Sequence, residues 1–293
     1  MKTTELINYI DEHKTLISDG ATGSNLQSRG LDKGKAAETW VLENPDAIQQ
    51  LHNDFLESGA NILLTCTFGA NHFRLEHGGL GNEVNTVNHK AVEIARKAIG
   101  EQEVLLAGSM GPLGQMLKPL GLLEIDEAQQ AYAEQAKALA HAGADFLLIE
   151  TQFDINEARA AIQGALSVCE LAIICSFSYD RGTKTMMGTS PTKMAQELAD
   201  FDLAALGINC GKSLENNLSC LQELVSVTDK AVWFKPNAGL PTLDEMGDAI
   251  YSITPAEMGA QAPSWVKAGA AIIGGCCGTS PEHLAAIAAN VHP

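Results

Sequence analysis

The sequence is short of cations, of aromatics and of long apolar runs, and each shortage removes a class of function. Lys and Arg number 19 against 36 Asp and Glu, a formal net charge of −17. That balance argues against nucleic acid as a partner, because phosphate binding relies on clustered basic side chains. Aromatics are 5% of the 293 residues, which disfavours a cage of aromatic faces around a quaternary ammonium ligand. No run approaches the roughly 20 apolar residues that cross a bilayer. The N-terminal "MKTTELINYIDEHK" has no hydrophobic block of the signal-peptide kind, so a cytoplasmic location is expected, where seven cysteines stay reduced. No Pro-rich or Gly/Ser-rich linker divides the chain, so residues 1–293 read as one domain.

What is present is an apolar chain with a regular alternation. Apolar residues make up 45% and charged residues 19%, enough for a sizeable core. Eight short apolar runs recur at 15–18, 61–65, 104–108, 145–150, 171–177, 203–208, 231–235 and 270–275. Their length and β-branched content favour buried strands. Between them lie amphipathic segments with helix punctuation. "NPDAIQQLHNDFLESGA" opens with Pro and Asp, and "IDEAQQAYAEQAKALAHAGA" offers Asp126 as N-cap and Gly143 as the stop. Eight strands alternating with helices predict a closed (β/α)8 TIM barrel. An open doubly wound sheet is the runner-up, but "DGATGSNL" after the first strand does not match the glycine-rich dinucleotide fingerprint.

In such a barrel the chemistry sits at the C-terminal ends of the strands. Asp19 and Gly20 follow the first run, and Thr65, Cys66, Thr67 and Phe68 the second. Glu150 and Thr151 follow the fourth, Asn209 and Cys210 the sixth, and Lys235, Pro236 and Asn237 the seventh. Cys276 and Cys277, in "GGCCG", end the eighth. Taken singly, each of these cysteines reads as a small buried hydrophobe. Three at strand ends, two of them adjacent, instead suggest one zinc ion held by Cys210, Cys276 and Cys277. Catalytic zinc takes three protein ligands and leaves one position open. Cys169, Cys175 and Cys220 lie in apolar contexts and read as packing residues; Cys66 reads either as a pocket-lining thiol or as packing.

The motifs "DGATGSNL", "TCTFGAN", "GINC", "KPNAGLP" and "GGCCGTSPEH" resemble the homocysteine S-methyltransferase domain, and the resemblance covers nearly the whole chain. It implies a (β/α)8 barrel and zinc bound by Cys210, Cys276 and Cys277. It also implies homocysteine held through its amino group by Asp19 and Glu150, with Gly20, Ala21 and Thr67 near its carboxylate. A rim carboxylate suits an ammonium on its own chemistry, although Asp19 reads equally as a helix cap and Glu150 as a rim ion-pair partner. Cys66 stands where methionine synthases of this family commonly have Asn.

The chemistry implied is alkylation of a thiol. A free thiol has a pKa of about 8.5, and coordination to zinc favours the thiolate, which then attacks a methyl group in line to give methionine. "KPNAGLP" and "GPLGQMLKPLG" look more like the corrinoid-linked synthases, so the expected donor is a separate methyl-corrinoid protein; no folate or cobalamin domain and no cobalamin signature is read in the chain. S-methylmethionine, another methylsulfonium compound or betaine is the alternative donor. Trp40 in "WVLENPD" reads as a rim residue or as helix packing. A non-catalytic homocysteine- or zinc-binding subunit is the reading from a different class.

Overall fold

The eight expected runs each fall on one strand of a single parallel ring. The computed structural model describes residues 1–244, 247 and 249–292. Its strands are β1 (Leu16–Ile17), β2 (Ile62–Leu64), β3 (Leu105–Met110), β4 (Phe146–Gln152), β5 (Ile173–Phe177), β6 (Ala205–Cys210) and β7 (Ala231–Pro236). A small antiparallel pair, β8 (Thr242–Leu243) and β9 (Ala249–Ile250), precedes the eighth ring strand, β10 (Ile272–Ile273). Neighbours run β1-β10-β7-β6-β5-β4-β3-β2, all parallel, and a bridge between Ser18 and Ile62 closes the circle. The fold is a (β/α)8 barrel.

Side-chain alternation along each strand separates two cores. Phe146 and Leu148 of β4 join Leu16, Ile62, Leu64, Ile174, Trp233 and Ile272 inside the ring. Leu147 and Ile149 face the other way, into the larger core under the surrounding helices. Leu6 and Ile10 belong to the inner cluster. They lie one helical turn apart on the N-terminal helix Thr3–Glu12, which plugs the floor of the barrel. The Met1 carbonyl accepts the Ala172 amide and the Met1 ammonium donates to the Asp145 carbonyl, both at the N-terminal ends of strands.

The helices obey their punctuation with one correction. Helix Pro45–Glu57 starts after Asn44 with Pro45 in its first turn, where the missing N–H costs nothing. Helix Ile125–Ala142 ends at Gly143, whose φ of 101° is the left-handed stop. Its N-cap, however, is Glu124 rather than Asp126. Glu124 and Glu127 form a reciprocal capping box, and Asp126 lies inside the first turn. Trp40 is 8% exposed and packs in the outer core. Of the three packing cysteines, Cys175 and Cys220 are buried, while Cys169 is only half-buried. Among the described residues no helix is long and apolar enough to cross a membrane.

Candidate functional site

The same alternation that fills the barrel with apolar groups delivers polar ones at its upper end. Two residues beyond an inward Leu16, Ala107, Leu148, Ile174 and Trp233 come Ser18, Ser109, Glu150, Ser176 and Lys235. With Asn209 they form a layer of side chains no more than 6% exposed. Each must find a partner there. The Ser109 hydroxyl donates to Glu150 Oε1 at 2.6 Å. Lys235 Nζ donates to Asp19 Oδ1 at 2.7 Å and to Ser18 Oγ at 3.3 Å. Asp19 Oδ2 accepts the Leu64 amide at 2.8 Å.

Above this layer opens a cavity of about 470 Å3. Of the residues marked out by sequence, Gly20, Ala21, Thr67, Glu150, Cys210, Cys276 and Cys277 line it. Asp19 does not. It is 1% exposed, with its carboxylate turned to Lys235 and Leu64. Cys66 lines the cavity as a buried thiol. Sequence reasoning placed Phe68, Thr151 and Lys235 at strand ends without giving them a role, and it did not name Glu38, Ser109 or Tyr251; all six also line it. Lys235 carried a readable signal, since it stands two places after the inward Trp233. Tyr251 carried none, because it follows the small β8–β9 pair in a stretch with no periodicity.

Cys210, Cys276 and Cys277 converge, their sulfurs all within 4.8 Å of one another. Cys210 Sγ is 2.8 Å from Cys276 Sγ and 3.9 Å from Cys277 Sγ. The backbone is built for this. Cys210 has a φ of 56°, and its carbonyl accepts the Asn217 side-chain amide. The Cys276 amide donates to the Pro236 carbonyl at 2.9 Å, tying the cysteine turn to β7. A Cβ on Gly274 would stand 2.6 Å from the Ser18 carbonyl, and one on Gly278, whose φ is +80°, would stand 2.1 Å from the Tyr251 ring. The glycines of "GGCCG" are therefore set by close approach as much as by the turn.

The electrostatics are those of a buried, mostly anionic floor. Burial pushes the Glu150 carboxyl up to about 7. Burial works against the Lys235 ammonium, but Asp19 and Glu150 outweigh it and its pKa is raised. Hydrogen bonds with Cys210 and Cys276 hold the Cys277 thiol well below the usual range, while bonds with Cys276 and then Cys277 push Cys210 up. The trio alone thus keeps one negative charge among three sulfurs. A cation is what would let all three ionise. Sulfurs placed tetrahedrally about 2.3 Å from one zinc lie roughly 3.8 Å apart, between the 2.8 Å and 3.9 Å that separate Cys210 Sγ from Cys276 and Cys277. The donor set fits zinc.

A profile of the homocysteine S-methyltransferase family matches residues 16–291. The chain belongs to that family. The methionine synthase of Mycobacterium tuberculosis is 28% identical over 98% of this chain, and that of Mycobacterium leprae 27%. The chain spans about a quarter of the length of these two synthases. Among solved structures, the metallated form of the homocysteine methyltransferase MmuM from Escherichia coli superposes with a TM-score of 0.82. It is 28% identical, over 96% of this chain and 98% of that one. The three-cysteine cluster suggests a zinc site.

Proposed function

We propose that the protein methylates the thiol of homocysteine to give methionine, with one zinc ion held by Cys210, Cys276 and Cys277. The observation that carries this reading is the convergence of three sulfurs within 4.8 Å on the wall of a cavity that also holds a buried carboxylate. Zinc, when bound there, would supply positive charge that keeps an incoming thiol deprotonated at neutral pH. The chain's own residues do the rest. Asp19 and Glu150 give the floor the negative potential that suits an amino acid's ammonium. Gly20, Ala21 and Thr67 line the neighbouring wall on the β1 and β2 side, where an acceptor's carboxylate can meet backbone N–H groups. Phe68 and Tyr251 line the cavity, where their rings would shield the reacting sulfur from water.

The donor we propose is a methyl-corrinoid carried by a separate protein, acting on a barrel located in the reducing cytoplasm. Two observations support a macromolecular donor. Phe68 and Tyr251 are the aromatic side chains of the cavity wall, fewer than a quaternary ammonium cage uses. The segments that follow β3, β5 and β7 expose Leu120, Leu122, Met186 and Leu243, apolar side chains that a docking protein would cover. The test is a donor screen on zinc-loaded protein. Homocysteine is supplied with a methyl-corrinoid protein, S-methylmethionine or betaine, and methionine is read by mass spectrometry alongside metal analysis. Methionine from the corrinoid arm alone is expected. Production from a small donor instead overturns the donor assignment, and zinc-loaded protein inactive in every arm points to a binding subunit.

A further inference from the structure

The floor of the cavity holds two carboxylates and one ammonium, and they are not equivalent. Both oxygens of Asp19 are occupied: Oδ1 by Lys235 Nζ at 2.7 Å and Oδ2 by the Leu64 amide at 2.8 Å. Asp19 is 1% exposed and lies behind the cavity wall. Glu150 lines the cavity, with the Ser109 hydroxyl on Oε1 and no cation bonded to it among the described residues. Lys235 itself is 2% exposed, with Nζ 5.6 Å above the Trp233 ring, so its position is fixed by packing.

We propose that Lys235 is a specificity-determining residue which, by occupying Asp19, leaves Glu150 as the one carboxylate that takes the ammonium of the acceptor thiol. This rests on the reading of homocysteine as acceptor and assigns the work within that site. With Glu150 ionised, Asp19, Glu150 and Lys235 sum to one uncompensated negative charge. A single ammonium balances it. A thiol lacking the amino group brings no cation to hold Glu150 ionised in this low-dielectric site, so it binds without that ion pair. The family's two acidic positions thus have separate tasks here: Asp19 anchors Lys235, and Glu150 meets substrate. His52, buried and held neutral beside this group, adds no second cation.

The test is calorimetric binding of homocysteine and of 4-mercaptobutanoate, which keeps the thiol and carboxylate but lacks the amino group, to the zinc-loaded protein. Wild type is expected to prefer homocysteine by at least about tenfold, the worth of a charge-assisted hydrogen bond. Glu150→Gln should erase that preference. The paired change Asp19→Asn with Lys235→Met removes the ion pair as a unit, so it leaves no buried charge stranded, and should retain the preference. Glu150→Gln with Lys235→Met should regain it, because Asp19 is then released to accept the ammonium. If the Asp19/Lys235 double variant loses the preference while Glu150→Gln keeps it, Asp19 is the direct contact and the inference is overturned; the first two variants decide this even if the rescue variant does not fold. Wild type that binds neither thiol overturns the homocysteine reading and the inference together.

Discussion

His52 offers a quantitative check on the electrostatics beneath the site. It stands on the buried face of helix Pro45–Glu57 with Ile48, Leu51 and Phe55, is 2% exposed, and neither ring nitrogen has a hydrogen-bond partner among the described residues. Burial lowers its pKa from 6.5 to about 4, with Asp19 opposing weakly. The sign follows from linkage. As pH falls below 6.5 the unfolded chain takes up the proton first, so the folded state loses stability progressively down to about pH 4. The full difference is worth about 3 kcal/mol, and about 2 kcal/mol of it is lost by about pH 5. His52→Leu removes the titration and the buried imidazole together. Buried carboxyls such as Glu150, raised by burial, contribute with the opposite sign, so the informative quantity is wild type minus variant. Urea unfolding of both proteins with a chelator present, at about pH 7.5 and about pH 5, measures it by linear extrapolation. The variant should gain about 2 kcal/mol on wild type between the two pH values. A difference that does not change with pH would refute the claim that folding holds His52 neutral, and with it the isolation of Lys235 as the cation beside Asp19.

Three further outcomes test other parts of the construction. Cys276→Ser should lose both bound zinc and methionine formation, read by metal analysis and turnover; normal zinc with a full rate would remove the metal from the mechanism. Gly111→Ala puts a Cβ 2.6 Å from the Phe68 ring, pushing that wall into the cavity. It should raise the KM for homocysteine, with overpacking of about 1–3 kcal/mol in chemical denaturation. Asn209→Ala should weaken zinc affinity measured by chelator competition by at least about tenfold, in the range found for residues that orient metal ligands, while the melting temperature falls only modestly.

The barrel was legible because each strand is a brief apolar run between helical segments, and the position of a residue at a strand end is itself a chemical address. Boundaries shifted where the strands leave the ring: the first and last runs shorten to Leu16–Ile17 and Ile272–Ile273. Features without a long pattern went unread. The floor plug is signalled by only Leu6, Ile7, Tyr9 and Ile10 in one short helix, of which Leu6 and Ile10 are buried. The β8–β9 strands are exposed at Thr242, Leu243, Ala249 and Ile250 and have no apolar alternation to betray them. Asp126 is a better cap by residue type than Glu124, yet the reciprocal bonds with Glu127 decided the start. Lys235 shows a different failure. A lysine closing an apolar strand ordinarily snorkels to water, and what turns it inward is Asp19, more than two hundred residues away, a partner that one strand's pattern does not contain.

The strain in the backbone says where this organisation is under load. Among the described residues the non-glycine positions with positive φ are Thr151 at 61° and Cys210 at 56°, each of a kind that costs about 1–3 kcal/mol. They lie at the C-terminal ends of β4 and β6, two staves apart, and one side chain spans them. Asn209, fully buried, accepts the Thr151 amide at 2.9 Å and donates to the Thr151 hydroxyl at 2.7 Å, while its amide nitrogen lies 3.8 Å from Cys276 Sγ. Ser176 on the intervening β5 donates to the same Asn209 oxygen at 2.6 Å. The bonds close over three consecutive strands and leave the amide no alternative orientation, because its oxygen must face two donors. An alanine at position 209 would free both strained turns to relax. Relaxation moves Cys210 relative to a Cys276–Cys277 turn anchored separately on β7, so the sulfurs would lose their common centre before the barrel lost its fold. That separation of effects is why the strain belongs to the thiol cluster rather than to the scaffold.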